Sequence, residues 1–191
     1  MKHKKIETLN FYNINQETNA YMIEVSLDDY SELFNGWDAS PLRRKDLEPE
    51  LMDYLEQASE EIRIKEKIEL CFYVPKEKRD LEKEFKSSTS IMNNFKVVLS
   101  VIHKQVSRSY RRLIMYIFSS LILLTLAYLL RNVSDVSLLV SISVEGFFIG
   151  GWFLLWEAFS LFFFDMHEIK LREKRFIRFV SSDIYFKDTK E

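Results

Sequence analysis

The chain has 191 residues and sets 27 lysines and arginines against 29 aspartates and glutamates, for a formal charge of −2. So even a balance excludes the basic footprint of a nucleic-acid binder and the acidic tail of a solvated adaptor, and no nucleic acid is expected as a partner. The mildly negative mean hydropathy averages two unlike parts: charge-rich sequence up to about Arg112, then a very apolar stretch from Leu113 to Phe164.

Residues 1–20 read as a polar leader. MKHKKIETLN lacks the apolar run of a signal peptide, so no cleavage is expected. In YMIEVSL, Tyr21, Ile23, Val25 and Leu27 alternate with Met22, Glu24 and Ser26, the period of a strand buried on one face. The next stretch, NGWDASPLRRKDLEPE, is the best soluble candidate for a binding surface. Trp37 offers a flat face, Arg43 and Arg44 offer anion contacts, and Ser40-Pro41 marks a helix start. Its ligand would be an anion or, if the domain lies on a bilayer, an acidic lipid headgroup; the competing reading is an exposed turn with solvated charges.

Leu51, Leu55, Ala58 and Ile62 then recur at helical spacing, with Pro49 in the first turn, and KIELCFYV alternates through Ile68, Leu70, Phe72 and Val74. Strand, helix, strand implies a parallel, right-handed unit whose helix covers the apolar face of the sheet. Two strands are marginal in water, and SSDIYFKD near the C-terminus, where Ile184 and Phe186 alternate with Asp183, Tyr185 and Lys187, can supply a third. Cys71 has no partner for an internal disulfide and reads as a reduced packing residue. The soluble domain is assigned to residues 21–90.

From Leu81, the series Phe85, Ser88, Met92, Phe95, Leu99, Ile102, Val106, Ser109 and Leu113 steps by threes and fours, a seam for packing one helix along another. KSSTS, Lys86 to Ser90, is a candidate hinge or new helix start. Residues 91–112 form a juxtamembrane helix whose seam is expected to outrun the domain and meet a second copy. Leu113 to Leu130 then holds no charge and is about 27 Å long as a helix, enough to cross hydrocarbon. Residues 131–135 make a short link and 136–160 a second span, followed by a basic helix and tail strand over 161–191.

Basic residues set the orientation. Lys104, Arg108, Arg111 and Arg112 precede the first span, Lys170, Arg172, Lys174, Arg175 and Arg178 follow the second, and only Arg131 lies between, so both termini are expected in the cytoplasm. The fold class is therefore an α+β membrane protein: a small cytoplasmic two-layer α/β domain, β-α-β plus a long helix, joined to an antiparallel two-helix transmembrane hairpin. The lipid bilayer is its first partner.

Glu145 falls near the middle of the second span, where a bare carboxylate costs at least about 2.5 kcal/mol and must find company. Ser137, Ser141 and Glu145 repeat every four residues as a polar stripe, while Ser119, Ser120 and Thr125 lie at similar depth on the other helix. A local bond from Glu145 to Ser119 or Ser120, an inter-subunit bond and a pore lining are the three readings of the stripe. Gly146 and Gly150 form a GxxxG pair suited to close helix packing, a pattern of low specificity. Trp152 and Trp156 read as interfacial belt residues, and Glu157 as a surface partner for Arg111, Arg112 or Lys170. No glycine-rich phosphate loop, paired cysteines or metal-spaced histidines occur; His3, His103 and His167 are scattered, so no catalytic residue, cofactor or metal is expected.

EGFFIGGWFLLWEAFSLFFFDMHEIKLREKRF, Glu145 to Phe176, resembles a group of uncharacterised bacterial two-span integral membrane proteins that carry an EGLLIxGW-like second helix, an acid-tryptophan pair and a basic helix. Glu145, Gly146, Ile149, Gly151, Trp152, Trp156 and Asp165 match that pattern. Met166 and His167 stand in place of tryptophans and Glu157 in place of a basic residue. The resemblance implies the two-span topology and a bacterial inner membrane, and brings no activity.

The function expected is a non-enzymatic, self-associating sensor, adaptor or scaffold, a homo-oligomer with room for an unidentified protein partner. One rival is an oligomeric channel or membrane-permeabilising effector lined by Ser137, Ser141 and Glu145. The other is an enzyme acting on lipid headgroups with Asp165, His167 and Glu168.

Overall fold

A computed structural model describes residues 11–131 and 138–189. The protein is mixed α+β, with one four-stranded sheet and two helices long and apolar enough to cross a membrane. In chain order the elements are β1 (Ile14–Asn15), β2 (Ala20–Ser26), α1 (Pro49–Glu61), β3 (Ile68–Val74), α2 (Leu81–Arg131), α3 (Leu138–Ser160), a π-helical turn (Leu161–Asp165), α4 (Met166–Val180) and β4 (Ile184–Asp188). Two compact units form: residues 1–100 with 173–191, and residues 101–172.

In the first unit the strands lie in the order β1-β2-β3-β4. β2 and β3 run parallel, with Ile23 opposite Leu70, as the strand-helix-strand pattern requires. The tail segment joins as β4, parallel to β3, with Leu70 opposite Ile184 and Phe72 opposite Phe186. β1 is an addition the sequence did not reveal. This two-residue strand lies inside the polar leader and pairs antiparallel with β2 through a turn in which Asn19 adopts a φ of 54°, a left-handed conformation asparagine tolerates.

The apolar face follows from the alternation. Ile23, Leu70, Phe72 and Val74 are fully buried, and Leu55, Ala58, Ser59 and Ile62 are the buried positions of α1 and its cap. Phe72 stacks on Phe186 at 5.4 Å, and Phe95 of α2 stacks on Phe179 of α4 at 4.9 Å with Phe176 edge-on at 6.4 Å.

One-sided burial, however, does not describe β3, where all seven residues are buried. Glu69, Cys71 and Tyr73 face away from the helices, and Met22, Cys71 and Tyr73 form a second small cluster. Its polar members are satisfied: Asn15 Nδ2 donates to Glu69 Oε2 (2.8 Å) and Tyr73 Oη donates to Glu24 Oε1 (2.6 Å). Within β2, Tyr21 and Val25 are only half-buried.

α2 runs unbroken through KSSTS. Ser88 and Thr89 donate back to the carbonyls of Glu84 and Phe85 within the helix, and Ser90 Oγ reaches the carbonyl of Lys45 at 2.8 Å, so Ser90 fastens the helix to the domain where a hinge was a candidate. The expected seam is displaced only at its start, where Leu81 and Phe85 (64%) are exposed while Ser87, Ser90 and Ile91 are buried; from Phe95 it holds, with Phe95, Ile102 and Ser109 buried. Ile91 and Phe95 are wholly buried inside this unit, with Phe95 occupied by α4. That part of the seam is already filled by the chain itself and does not await a second copy.

Arg178 closes the end of α1. Its guanidinium donates to Ser59 O and Ser59 Oγ (both 2.6 Å), where the helix C-terminus leaves carbonyls without an intrahelical partner, and to Arg63 O (2.8 Å) in the turn that follows. Burial, and then the neighbouring Arg175, lower its affinity for the proton. Arg175 itself pairs with Glu60 at 2.8 Å. Two of the cations read as flanking charges are thus core-facing clasps.

Candidate functional site

The second unit is a helical hairpin. Ser120 Oγ donates to the carbonyl of Gly151 at 2.7 Å, and Lys170 Nζ donates to Tyr110 Oη at 2.7 Å; position falls along one helix as it rises along the other, so the helices are antiparallel. Buried positions Ser109, Ser120 and Ala127 mark the inner face of α2, and Gly151 and Ala158 that of α3, continued by Leu161 of the π turn. Leu161 and Met166, both buried, are five residues apart, the spacing of the π turn between them, which keeps both on one face.

The closest approach falls on Gly151. A Cβ there would stand 2.7 Å from Leu124 Cγ and 3.3 Å from the Leu124 backbone nitrogen, so only glycine fits without a shift. Of the predicted GxxxG pair, a Cβ at Gly150 would stand in ordinary contact with Leu123 (3.4 Å) and one at Gly146 would meet nothing within 4 Å. Around Gly146 the surface is apolar and bare: Ile142 is 58% exposed, Ile149 68% and Phe153 64%. Gly151 had entered the sequence reading only through the resemblance; the adjacent Gly150-Gly151 pair is the local signal for it.

The polar stripe divides. Ser120 is buried and committed to Gly151, whereas Ser119, Ser141 and Glu145 are exposed and Ser137 lies outside the described residues. Glu145 is therefore not bonded to Ser119 or Ser120, and among the described residues it has neither hydrogen bond nor ion pair. It opens instead on a cavity of about 700 Å³ between α2 and α3, which Ser141, Tyr128 and Arg131 share.

Arg131 and Tyr128 were not among the residues expected here. Stepping residue for residue from the Ser120–Gly151 contact places Arg131 level with Val140, five positions or about 7.5 Å from Glu145 along α3. A glutamate and an arginine with no sequence periodicity in common line one cavity only because the hairpin folds them together.

The other candidates stay apart. Trp37 is 97% exposed, its amide held by Asn35 Oδ1 at 2.9 Å, and Arg43 sits over the Phe85 ring at 5.8 Å. Arg44 is exposed, and Ser40-Pro41 leads into a single 3₁₀ turn, Leu42–Arg44, instead of a longer helix. Asn93 and Asn94 of α2 donate to the carbonyls of Arg43 and Lys45, so this loop is fastened at its base. Asp165, His167 and Glu168 are exposed along the helix, and no group of metal-binding side chains forms among the described residues. Comparison of the chain with protein-family profiles, with curated proteins and with solved structures gives no match.

Proposed function

We propose that this chain is a non-enzymatic integral protein of a bacterial inner membrane, with two spans and a cytoplasmic sheet domain, that self-associates and serves as a sensor, adaptor or scaffold. The observation that carries the reading is the bareness of the hairpin. Only 11% of the most apolar window of α2, and 6% of that of the helix beginning at Leu138, is buried inside the protein. Surface this greasy is stable only in a solvent as apolar as itself. Because β3 and β4 pair in one sheet, a chain that crosses a bilayer along α2 must return along α3. The basic residues 104–112 favour the cytoplasm for that shared side.

Self-association rests on Gly146. It stands open among exposed Ile142, Ile149 and Phe153, where a second helix can approach closely, while the intramolecular contact uses Gly151. Cysteine cross-linking at position 142 or 153 in native membranes tests this. Dimers are expected, and Gly146→Leu is expected to abolish them while leaving the hairpin folded. Monomers at every protein-to-lipid ratio would refute self-association, and labelling of position 134 from the cytoplasmic side would refute the topology.

A further inference from the structure

The cavity between α2 and α3 has the chemistry of a binding site. Its volume, about 700 Å³, lies within the range of small-molecule pockets. Its walls combine an acid, Glu145, with three aromatic side chains, Tyr128, Phe148 and Trp152. Phe148 and Trp152 pack edge to face at 6.4 Å, a pair that holds its own geometry.

Three classes of occupant can be weighed. A neutral apolar molecule leaves the carboxylate without a partner in an apolar wall. An anion would suit Arg131 but would have to lie along a wall that carries Glu145. A cation on an apolar body suits the acid and the aromatic wall: Glu145 supplies the counter-charge, the rings present the negative faces that attract an ammonium or phosphonium, and the apolar lining takes the body, Arg131 at the far side being the one like charge. Arg131 does not pre-empt the acid, since the two are not ion-paired although they share the cavity.

We infer that the hairpin binds a lipophilic cation in this cavity, with Glu145 as its counter-ion and Phe148, Trp152 and Tyr128 as its aromatic wall. The inference rests on the membrane placement of the hairpin proposed above but not on self-association. It gives the sensor reading a ligand class.

The test uses the full chain in nanodiscs of zwitterionic lipid, incorporation being checked by co-elution before any titration, so that failure of membrane insertion is seen separately. Tetraphenylphosphonium is the probe, and tetraphenylborate, of matching shape and opposite charge, is the control. Binding is read by equilibrium dialysis against empty discs and by quenching of Trp152 in a Trp37→Phe, Trp156→Phe background.

Saturable phosphonium binding above empty discs is expected, weakened about ten-fold or more by Glu145→Gln, the equivalent of one lost strong interaction. Trp152→Ala should weaken it by about three- to ten-fold, and Arg131→Gln should leave it unchanged or tighter. If Glu145→Gln fails to incorporate, Trp152→Ala and Arg131→Gln still decide the matter. No saturable binding, equal binding to wild type and Glu145→Gln, or tighter binding of the borate with its loss in Arg131→Gln would each overturn the inference.

Discussion

Alanine at Gly151 and alanine at Gly146 are the same chemical change on the same helix, and the structure assigns them different costs. At Gly151 the new methyl meets Leu124 Cγ at 2.7 Å and Cδ2 at 2.8 Å, with the Leu124 nitrogen behind them at 3.3 Å. The near atoms are the branch carbon and one methyl of a short side chain whose own backbone blocks retreat, so α2 and α3 must part slightly. Overpacking of this kind costs about 1–3 kcal/mol, and parting the helices also stretches the Ser120–Gly151 hydrogen bond, worth about 0.6 kcal/mol in an apolar medium. At Gly146 the methyl enters open space. Both changes gain the same helix propensity, about 1 kcal/mol, which cancels in the comparison. Gly151→Ala should therefore be less stable than Gly146→Ala by about 1.5–3.5 kcal/mol. Equilibrium unfolding in mixed micelles of mild detergent and SDS, followed by tryptophan fluorescence at a dilution where the protein is monomeric, measures the difference. Adding Leu124→Ala should recover most of the strain. Equal stabilities for the two glycine variants, or no recovery in the double variant, would refute the close-packed hairpin.

The Arg178 clasp should be worth about 2–4 kcal/mol, since Arg178→Leu removes charge-assisted bonds to Ser59 and Arg63 and takes from the Ser59 carbonyl its side-chain donor; Arg178→Lys should recover little because an ammonium cannot span them, as thermal unfolding of the whole protein would report. Tyr12 donates to Glu61 at 2.7 Å, and burial followed by that bond raises its pKa. A group whose folded pKa is raised contributes fully below its unfolded value, near pH 10, and loses that contribution as pH rises towards the folded value. Tyr12→Phe should therefore flatten part of the alkaline fall in stability relative to wild type, with no change in the acid limb. Cys71, wholly buried in β3, should resist maleimide in the native protein and react on unfolding; rapid native labelling would contradict a β3 covered on both faces.

The repeating patterns were legible. Alternation found β2, β3 and β4, helical spacing found α1, and the charge-free run found the apolar half of α2, because each pattern is the direct imprint of one buried face. Non-local satisfaction was not legible. Glu69 and Tyr73 look like the solvent side of a strand until Asn15 and Glu24 are brought to them, and neither partner carries a periodic signal. The seam of α2 is legible from Phe95 through Ile102 to Ser109 but not at its start, where apolar Phe85 outweighs small Ser90, yet a serine that bonds to the Lys45 carbonyl is the better fit against a neighbouring chain segment. At the hairpin, GxxxG drew the eye to Gly146 and Gly150. Which glycine meets α2 depends on the rotation of α3 about its own axis, which is fixed by Leu123, Leu124 and Ser120 on the facing helix.

The sheet has a consequence for biosynthesis. A ribosome completes β3 long before β4, and everything in α2, α3 and α4 emerges in the interval. Until then Phe72 lacks its stacking partner Phe186, and Phe95 lacks Phe176 and Phe179. The domain cannot mature first and then wait for its hairpin to be delivered. Release of a chain stopped before Ile184 would leave one side of β3 unzipped, so the sheet itself certifies that the greasy segment between its strands has been made and brought back.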